Sequence, residues 1–201
     1  PISLEYLGDY AFENTSLTGI VIPSKITSLG NSLFKNCTSL NDITIRGVIT
    51  YIGAYCFSFC SSLADINFLS SVKAIGDGAF ESSGIREANM CSLRRTGTNL
   101  FKESSLERVS ISGEGLELSN AFTGATRLKT AEIGRGVTAV YKETFMGCTM
   151  LETLTIGEDV AYISNDAFTG CNNLKILYYN AVDASTKFSL TFYSSIINQT
   201  L

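Results

Sequence analysis

A phenylalanine returns at nearly constant intervals along this chain of 201 residues, and no other feature limits the possible fold as strongly. The residues that carry the recurrence are Phe12, Phe34, Phe57, Phe80, Phe101, Phe122, Phe145 and Phe168. Successive intervals are 21 to 23 residues, which indicates an internal repeat. A unit this short cannot bury its own apolar face, so stacked units must share one continuous core.

Each phenylalanine belongs to a longer apolar frame that predicts a strand. In one unit Ile43 and Ile45 are two residues apart, so both side chains point to the core while Asp42 and Thr44 point outward. Because every unit runs in the same direction, the strands should form a parallel sheet with one strand per unit. Apolar residues before each phenylalanine predict a second short extended stretch, and the phenylalanine segment predicts a tight turn or a single helical turn.

The frame resembles the BspA-type (treponemal) leucine-rich repeat, Leu-x-x-Ile-x-Ile-Pro-x-x-Val-x-x-Ile-Gly-x-x-Ala-Phe-x-x-Cys-x-x-Leu. Residues 17–40 match it with Ile22-Pro23, Phe34 and Cys37. The resemblance implies an α/β fold: a right-handed leucine-rich-repeat solenoid with a one-strand-per-repeat parallel sheet and about eight repeats of 21–23 residues. It also implies a secreted or surface protein that makes adhesive or protein–protein contacts.

The repeat divides the chain into a solenoid, residues 1–179, and a C-terminal cap or degenerate terminal repeat, residues 180–201. The first repeat is incomplete, so we expect an open strand edge at Ile20 and Ile22 through which the protein could self-associate. Three central units are short. We therefore expect an irregular middle, in which Leu93 alone holds the second apolar position.

Composition excludes several classes of function. The chain has no histidine, which removes the commonest general base and the commonest zinc ligand. A net charge of −4 argues against nucleic acid, whose binding depends on lysine and arginine. No apolar run approaches the ~18 residues of a membrane helix. We therefore expect no catalytic residue, no cofactor, no metal site and no membrane span in this chain.

Four cysteines lie three residues after a repeated phenylalanine: Cys37, Cys60, Cys148 and Cys171. Small residues take that position in the other units: Thr15, Ser83, Ser104 and Ala125. One interpretation is a tightly packed corner with buried free thiols, which we favour. The alternative is a pair of disulfides between neighbouring units, which the spacing of stacked strands would allow.

Two motif matches are outweighed by their context. Residues 134–139 (GRGVTA) match a dinucleotide-binding fingerprint, but that motif requires a following helix and the repeat predicts a turn between strands. Asn14 and Asn36 begin glycosylation sequons. Both occupy one frame position beside a buried ladder, where we expect asparagines that bond the local backbone of a turn.

The outward strand positions are informative because packing does not dictate them. One predicted column is Gly19, Asp42, Asp65, Glu87, Arg108, Thr130, Thr153 and Ile176. Its companion is Val21, Thr44, Asn67, Asn89, Ser110, Glu132, Thr155 and Tyr178. Three successive carboxylates form an acidic strip that a basic segment of a partner or a calcium ion would neutralise. A solvated strip balanced by Arg86 and Arg108 is the alternative that needs no ligand.

These observations predict a non-enzymatic protein-binding or adhesive module of a secreted or cell-surface protein, with a protein ligand held on the strand face. The predicted ligand-binding residues are Asp42, Asp65, Glu87, Arg108, Thr44, Asn67, Asn89 and Tyr178. The carboxylate spacing resembles that of a retaining glycosidase, but an open face lacks the enclosed setting that such catalysis needs. The arginine-rich middle is a second candidate contact region. A structural spacer domain without its own ligand is the alternative function.

Overall fold

The computed structural model describes residues 3–179, which form stacked coils of parallel strands. In chain order the elements are β1 (Gly19–Ile22), β2 (Ser28–Leu29), β3 (Asp42–Ile45), β4 (Tyr51–Ile52), the 3₁₀ helix η1 (Leu69–Ser71), β5 (Ala74–Ile75), β6 (Glu87–Leu93), β7 (Arg95–Thr96), β8 (Arg108–Gly113), β9 (Leu116–Leu118), β10 (Thr130–Ile133), β11 (Val137–Val140), β12 (Thr153–Ile156), β13 (Tyr162–Ile163) and β14 (Ile176–Tyr179). The predicted cap, residues 180–201, lies outside the described residues.

The longer strands form one face of the solenoid, which we call the strand face. It consists of a two-stranded sheet, β1-β3, and a five-stranded sheet in the order β6-β8-β10-β12-β14. All pairings are parallel and join equivalent frame positions, so that Thr130 lies between Arg108 and Thr153, except that the register of β6 and β8 shifts between Met90 and Leu93. The predicted parallel sheet of a leucine-rich-repeat solenoid is therefore confirmed.

The second extended stretch of each coil is also confirmed. It forms a four-stranded sheet, β2-β4-β5-β7, and a three-stranded sheet, β9-β11-β13. Turns around the repeated phenylalanines close the coils, and η1 is the only helix within residues 3–179. The predicted α/β class implies helical segments, but the described residues contain only η1 and turns in their place.

The eight repeated phenylalanines form a continuous stack through the core. Neighbouring rings have centroids 5.0 to 6.1 Å apart and planes within 26° of each other. The six inner rings are fully buried: Phe34, Phe57, Phe80, Phe101, Phe122 and Phe145. Offset stacking at this distance adds to the free energy gained by burying aromatic surface, so the stack is the axis of the core.

The backbone around each phenylalanine is bonded to the next coil. The N–H groups of Ser32, Phe34 and Asn36 donate to the carbonyl groups of the following coil at 2.8 to 2.9 Å. Ser32 and Asn36, two residues before and two after Phe34, have positive φ angles of 51° and 60°. The three N–H groups point to the same side, since their acceptors Ala54, Cys56 and Ser58 all belong to the following coil. The turns of neighbouring coils are therefore joined by backbone hydrogen bonds, as the strands are.

A column of glycines precedes the phenylalanines and allows the coils to approach. A Cβ atom at Gly76 would lie 2.4 Å from the backbone nitrogen of Ala54 in the preceding coil. Contacts that short do not occur between real atoms, so any side chain here would push the coils apart. Close coil spacing therefore requires glycine at Gly76, whereas the equivalent position in the last three coils holds Ser119, Tyr141 and Ser164.

The third coil interrupts the strand face. The frame predicts a strand over residues 65–68, but none forms, so β3 pairs with β1 alone and β6 with β8 alone in the described chain. Phe68 stands where other coils have residues such as Ile45, and its buried ring packs at a tilt of 49° on Phe57. An aromatic ring at this position does not by itself prevent a strand, since Tyr179 occupies it in β14. We therefore attribute the missing strand to the buried, tilted packing of Phe68 on Phe57. The irregularity therefore begins in the unit that contains Phe80, the first of the three short units, and Leu93 is buried as expected.

The predicted open edge is only partly present. Within residues 3–179, β1 pairs on one side only, with β3. The side chain of Ile22, however, is 1% exposed, so the expectation that it would be an uncovered ladder position is wrong. Self-association through this edge stays a prediction.

Truncating one ring of the stack should destabilise the protein strongly. We expect Phe101→Ala to lower the free energy of unfolding by about 3–5 kcal/mol, because it leaves a cavity in a packed core. Phe59→Ala is the matched control, since Phe59 is 47% exposed, and it should cost less than about 1 kcal/mol. Urea unfolding checks both variants, and equal losses would contradict the assigned role of the stack.

Replacing the bulky residue of the third coil should restore the missing strand. In Phe68→Ile we expect the backbone N–H of Asn89, which faces that coil, to gain a hydrogen bond and exchange with solvent roughly tenfold more slowly. Hydrogen exchange followed by NMR measures this, with Ile45→Val as the control in a coil that already pairs. Unchanged exchange at Asn89 would show that the packing of Phe68 is not the cause.

Candidate functional site

Outward side chains of β6, β8, β10 and β12 line a groove of about 540 Å³ on the strand face. We call it the strand-face groove. Its polar lining consists of Glu87, Asn89, Arg108, Ser110, Thr130, Glu132, Thr153 and Thr155. Ile66, from the irregular third coil, also lines it. Between the outward positions lie Ala88, Val109 and Ala131, which are buried. A row of polar groups therefore stands on a rigid sheet.

The strand pairings bring the predicted columns together over the five-stranded sheet. Glu87 pairs with Arg108, and Asn89 with Ser110. At the far end of the sheet, Tyr178 pairs with Thr155. Four predicted site residues, Glu87, Asn89, Arg108 and Tyr178, therefore lie on one sheet in the predicted register.

The other four predicted site residues are not part of this sheet. Asp42 and Thr44 lie on β3, in the two-stranded sheet. Asp65 and Asn67 are exposed on the irregular segment between the two sheets. The prediction of an unbroken strip of three carboxylates is therefore wrong, because the third coil has no strand to place Asp65 in register.

The charge of Glu87 is neutralised within the protein. Arg108 Nη2 donates a hydrogen bond to Glu87 Oε1, and the two side chains form an ion pair. This hydrogen bond lowers the pKa of Glu87 and raises that of Arg108. Both side chains are exposed, so the pair contributes little to stability, but it removes Glu87 as an unpaired anion.

Glu132 is the carboxylate of the groove that keeps its charge unpaired. Ser110 Oγ donates to Glu132 Oε2 at 3.2 Å. Among the described residues no lysine or arginine nitrogen lies within 4 Å of the Glu132 carboxylate. The sequence places Glu132 in the outward column of Thr44 and Tyr178. It does not reveal that Glu132, and not Glu87, has no cationic partner, because this depends on which carboxylate the side chain of Arg108 contacts.

The far end of the sheet is apolar. Ile176 and Tyr178 occupy the two outward positions of β14 and are 43% and 55% exposed. They stand beside Thr153 and Thr155, which line the groove. Exposed aromatic and aliphatic residues next to a polar groove are typical of an interaction site. The sequence predicts Tyr178 as a ligand-binding residue, whereas it places Ile176 only as a member of the outward column.

No metal site is present in the part of the chain that the structure describes. Within residues 3–179 there is no group of three or more histidine, cysteine, aspartate or glutamate residues close enough to hold an ion. The calcium hypothesis required Asp42, Asp65 and Glu87 to be aligned on one sheet, but Asp42 lies on the two-stranded sheet, Glu87 on the five-stranded sheet and Asp65 on neither.

Half of the six arginines in the middle of the chain form surface ion pairs with other described residues: Arg94, Arg108 and Arg127. Arg94 pairs with Glu114 at 3.5 Å, and Arg127 pairs with Glu107 at 3.3 Å. Exposed pairs of this kind are ordinary surface features. The region therefore offers less than the strand-face groove as a contact site.

The repeated cysteines are free thiols that bond the stack together. Each Sγ donates to the carbonyl oxygen of the phenylalanine in the preceding coil, at 2.9 to 3.2 Å. The donors are Cys37, Cys60, Cys148 and Cys171, and the acceptors are Phe12, Phe34, Phe122 and Phe145. In this structure the favoured interpretation therefore holds. The frame position needs a small residue, and the four cysteines also donate a hydrogen bond there, whereas Ala125 has no side-chain donor.

Burial makes the thiols of Cys60 and Cys56 poor nucleophiles. Desolvation, followed by the neighbouring Cys37, raises the pKa of Cys60 to about 12. Desolvation also raises the pKa of Cys56 well above its usual value. A thiol must ionise to attack, so neither group has the character of a catalytic cysteine.

The two motif matches have structural roles. Gly136 has a φ angle of +78° in the turn between β10 and β11, so a strand follows GRGVTA where a dinucleotide site would need a helix. Asn14 and Asn36 have positive φ angles, as turn asparagines often do. Their side chains are exposed and bond each other, with Asn36 Nδ2 donating to Asn14 Oδ1 at 2.8 Å. The expected bond to local backbone is therefore wrong.

Within residues 3–179 no helix is long and apolar enough to cross a membrane. The stacked parallel strands, the phenylalanine axis and the groove define a leucine-rich-repeat solenoid with an open strand face. The model of the BspA-type leucine-rich repeat region, which comprises six copies, matches residues 1–107 and 94–200. The chain therefore belongs to the BspA-type leucine-rich repeat family.

Two solved structures are similar to the chain. A leucine-rich repeat protein from Bacteroides ovatus is 25% identical, with a TM-score of 0.65, and the match covers 87% of this chain and 52% of that one. The T. pallidum leucine-rich repeat protein is 19% identical, with a TM-score of 0.61, and the match covers 83% and 81%. The chain thus spans about half the length of the Bacteroides protein. No curated protein matches it.

The buried thiol of Cys60 should make stability depend on pH. Its pKa is higher in the folded chain, so its contribution is complete below the unfolded pKa of about 8.5 and is lost as the pH rises toward 12. We expect the difference in free energy of unfolding between the wild type and Cys60→Ala to shrink by about 2 kcal/mol from pH 8 to pH 10.5. Urea titrations at both pH values measure it.

The matched control for this measurement is Ser104→Ala. Ser104 occupies the same frame position, is buried, and donates to Phe101 without an ionisable group. Its difference from the wild type should be independent of pH. A constant difference for Cys60→Ala as well would show that the thiol ionises equally in both states.

Proposed function

We propose that this chain is a non-catalytic binding module that holds a protein ligand on its strand face, and that the strand-face groove is the contact region. The observation that carries the proposal is the groove of about 540 Å³, lined by side chains that the core does not require. Outward positions on a solenoid are fixed in space by the stack, so they can present a rigid pattern of polar groups at little entropic cost on binding.

The groove favours ligand binding over the spacer function. A spacer needs only length and stiffness, which the phenylalanine stack and the coil-to-coil hydrogen bonds supply. A spacer does not need an unpaired carboxylate, such as Glu132, two strands away from the exposed apolar side chains of Ile176 and Tyr178. Surfaces that combine such features are selected for recognition.

We also propose that the module works outside the cell or at its surface, the setting that the family resemblance implies. Its low content of charged residues, 17%, leaves few lysines and arginines to bind polyanions, so the expected partner is a protein.

Blocking the groove tests the proposal. Phage-displayed random peptides are selected on the whole chain and then measured on Ser110→Trp, whose indole would fill the groove. We expect the affinity of the selected peptides to fall by about tenfold or more, since each tenfold is worth 1.4 kcal/mol. The control is Thr126→Trp, on an exposed turn outside the groove, which should bind like the wild type.

Both variants must first show the melting temperature of the wild type. If selected peptides bind Ser110→Trp as tightly as the wild type, the groove is not the contact region. If selection on the wild type recovers nothing above the Ser110→Trp background, the binding function itself is contradicted.

A further inference from the structure

The charges of the strand-face groove are unequal. Glu87 already has Arg108 as its cation, whereas Glu132 accepts only the hydroxyl of Ser110. Glu132, on β10, is therefore the carboxylate of this groove that is free to pair with a cationic group of a ligand. A lysine or arginine placed there would form a charge-assisted hydrogen bond that the protein does not supply itself.

The apolar end lies at a fixed distance from this charge. Tyr178 is in the same column as Glu132, two strands further along. Neighbouring strands are about 4.8 Å apart, so the two residues are separated by about 10 Å. Alternate side chains of an extended peptide face the same side at intervals of about 7 Å. A basic and an apolar side chain two or four residues apart would reach both points.

The groove is bounded on the other side. The irregular third coil ends the pairing before β6, and its Ile66 lines the groove. A segment that crosses the strands from Ile66 to Tyr178 therefore covers β6 to β14, about 20 Å, which is the length of roughly six extended residues.

We propose that the strand-face groove binds a short extended segment of a partner protein, with a lysine or arginine bonded to Glu132 and an apolar side chain packed on Ile176 and Tyr178. This inference rests on the proposed function and names the chemistry of its ligand. It shifts the acidic determinant from Asp42, Asp65 and Glu87, which the sequence suggests, to Glu132.

The test uses the peptides selected on the wild-type chain. We expect them to be enriched in lysine or arginine two or four positions from an aromatic or aliphatic residue. Glu132→Gln should weaken their binding about tenfold or more, because a hydrogen bond to a charged group is worth roughly 1.5–3 kcal/mol. Tyr178→Ala should weaken it by a similar factor through loss of the apolar contact.

Two matched controls separate these effects from general changes in charge or folding. Glu158→Gln makes the same substitution on an exposed turn between β12 and β13, and Tyr162→Ala removes an exposed tyrosine from the other face. Both should leave affinity within about twofold of the wild type. A reversed pair, Glu132→Lys with an acidic residue in the peptide, should restore binding if the contact is the one proposed.

The outcomes distinguish this inference from the proposed function. Peptides that are blocked by Ser110→Trp but lack a basic residue, or bind Glu132→Gln unchanged, would overturn the ligand chemistry and leave the binding function intact. Equal losses in Glu132→Gln and Glu158→Gln would also overturn it, since the effect would then be net charge. Peptides insensitive to Ser110→Trp would overturn both.

Discussion

The spacing between coils is the constraint on which the rest of the structure depends. Paired strands fix it at about 4.8 Å, and the phenylalanine centroids follow at 5.0 to 6.1 Å. At that distance a ring meets an identical ring face to face, a glycine backbone meets the backbone below, and a small side chain can reach the previous carbonyl. Each recurring residue type of the repeat therefore fits the spacing between coils at its own position, which is why the same residue types recur in the same order.

The same constraint decides what the outer face can do. Because register places equivalent residues side by side, each outward side chain has two fixed neighbours and must pair with one of them or remain unpaired. Arg108 lies between Glu87 and Thr130 and bonds to Glu87. Glu132 lies between Ser110 and Thr155, and neither neighbour can neutralise it. Whether a charge is paired thus depends on which residues occupy the neighbouring strands. A lysine or arginine in place of Ser110 or Thr155 would give Glu132 a cationic neighbour.

The sequence alone predicts the fold well, because its signal is repeated in every unit: the phenylalanine stack, the second strands and the small residues at the cysteine position all follow from it. Features that depend on one unit are not predictable in this way. One coil, in which Phe68 packs at a tilt on Phe57, lacks its strand, so Asp65 has no strand pairing with its expected neighbours. The bond between Asn14 and Asn36 depends on side-chain direction at positive φ, which periodicity does not encode. The sequence therefore predicts the residues of the candidate site that lie on the five-stranded sheet, but not the separation of Asp42, Thr44, Asp65 and Asn67 from them.

The interruption at the third coil affects the face without dividing the core. Across it, the rings of Phe57 and Phe80 remain stacked at 5.5 Å with their planes 4° apart, while the strand face separates into two sheets. Core packing therefore holds both parts in one fixed relation, and the side chains of each sheet can vary without disturbing those of the other. Asp42 and Thr44 on β3 belong to a surface distinct from the groove that holds Glu132. An irregular coil thus divides the outer face into two separate surfaces on one continuous core.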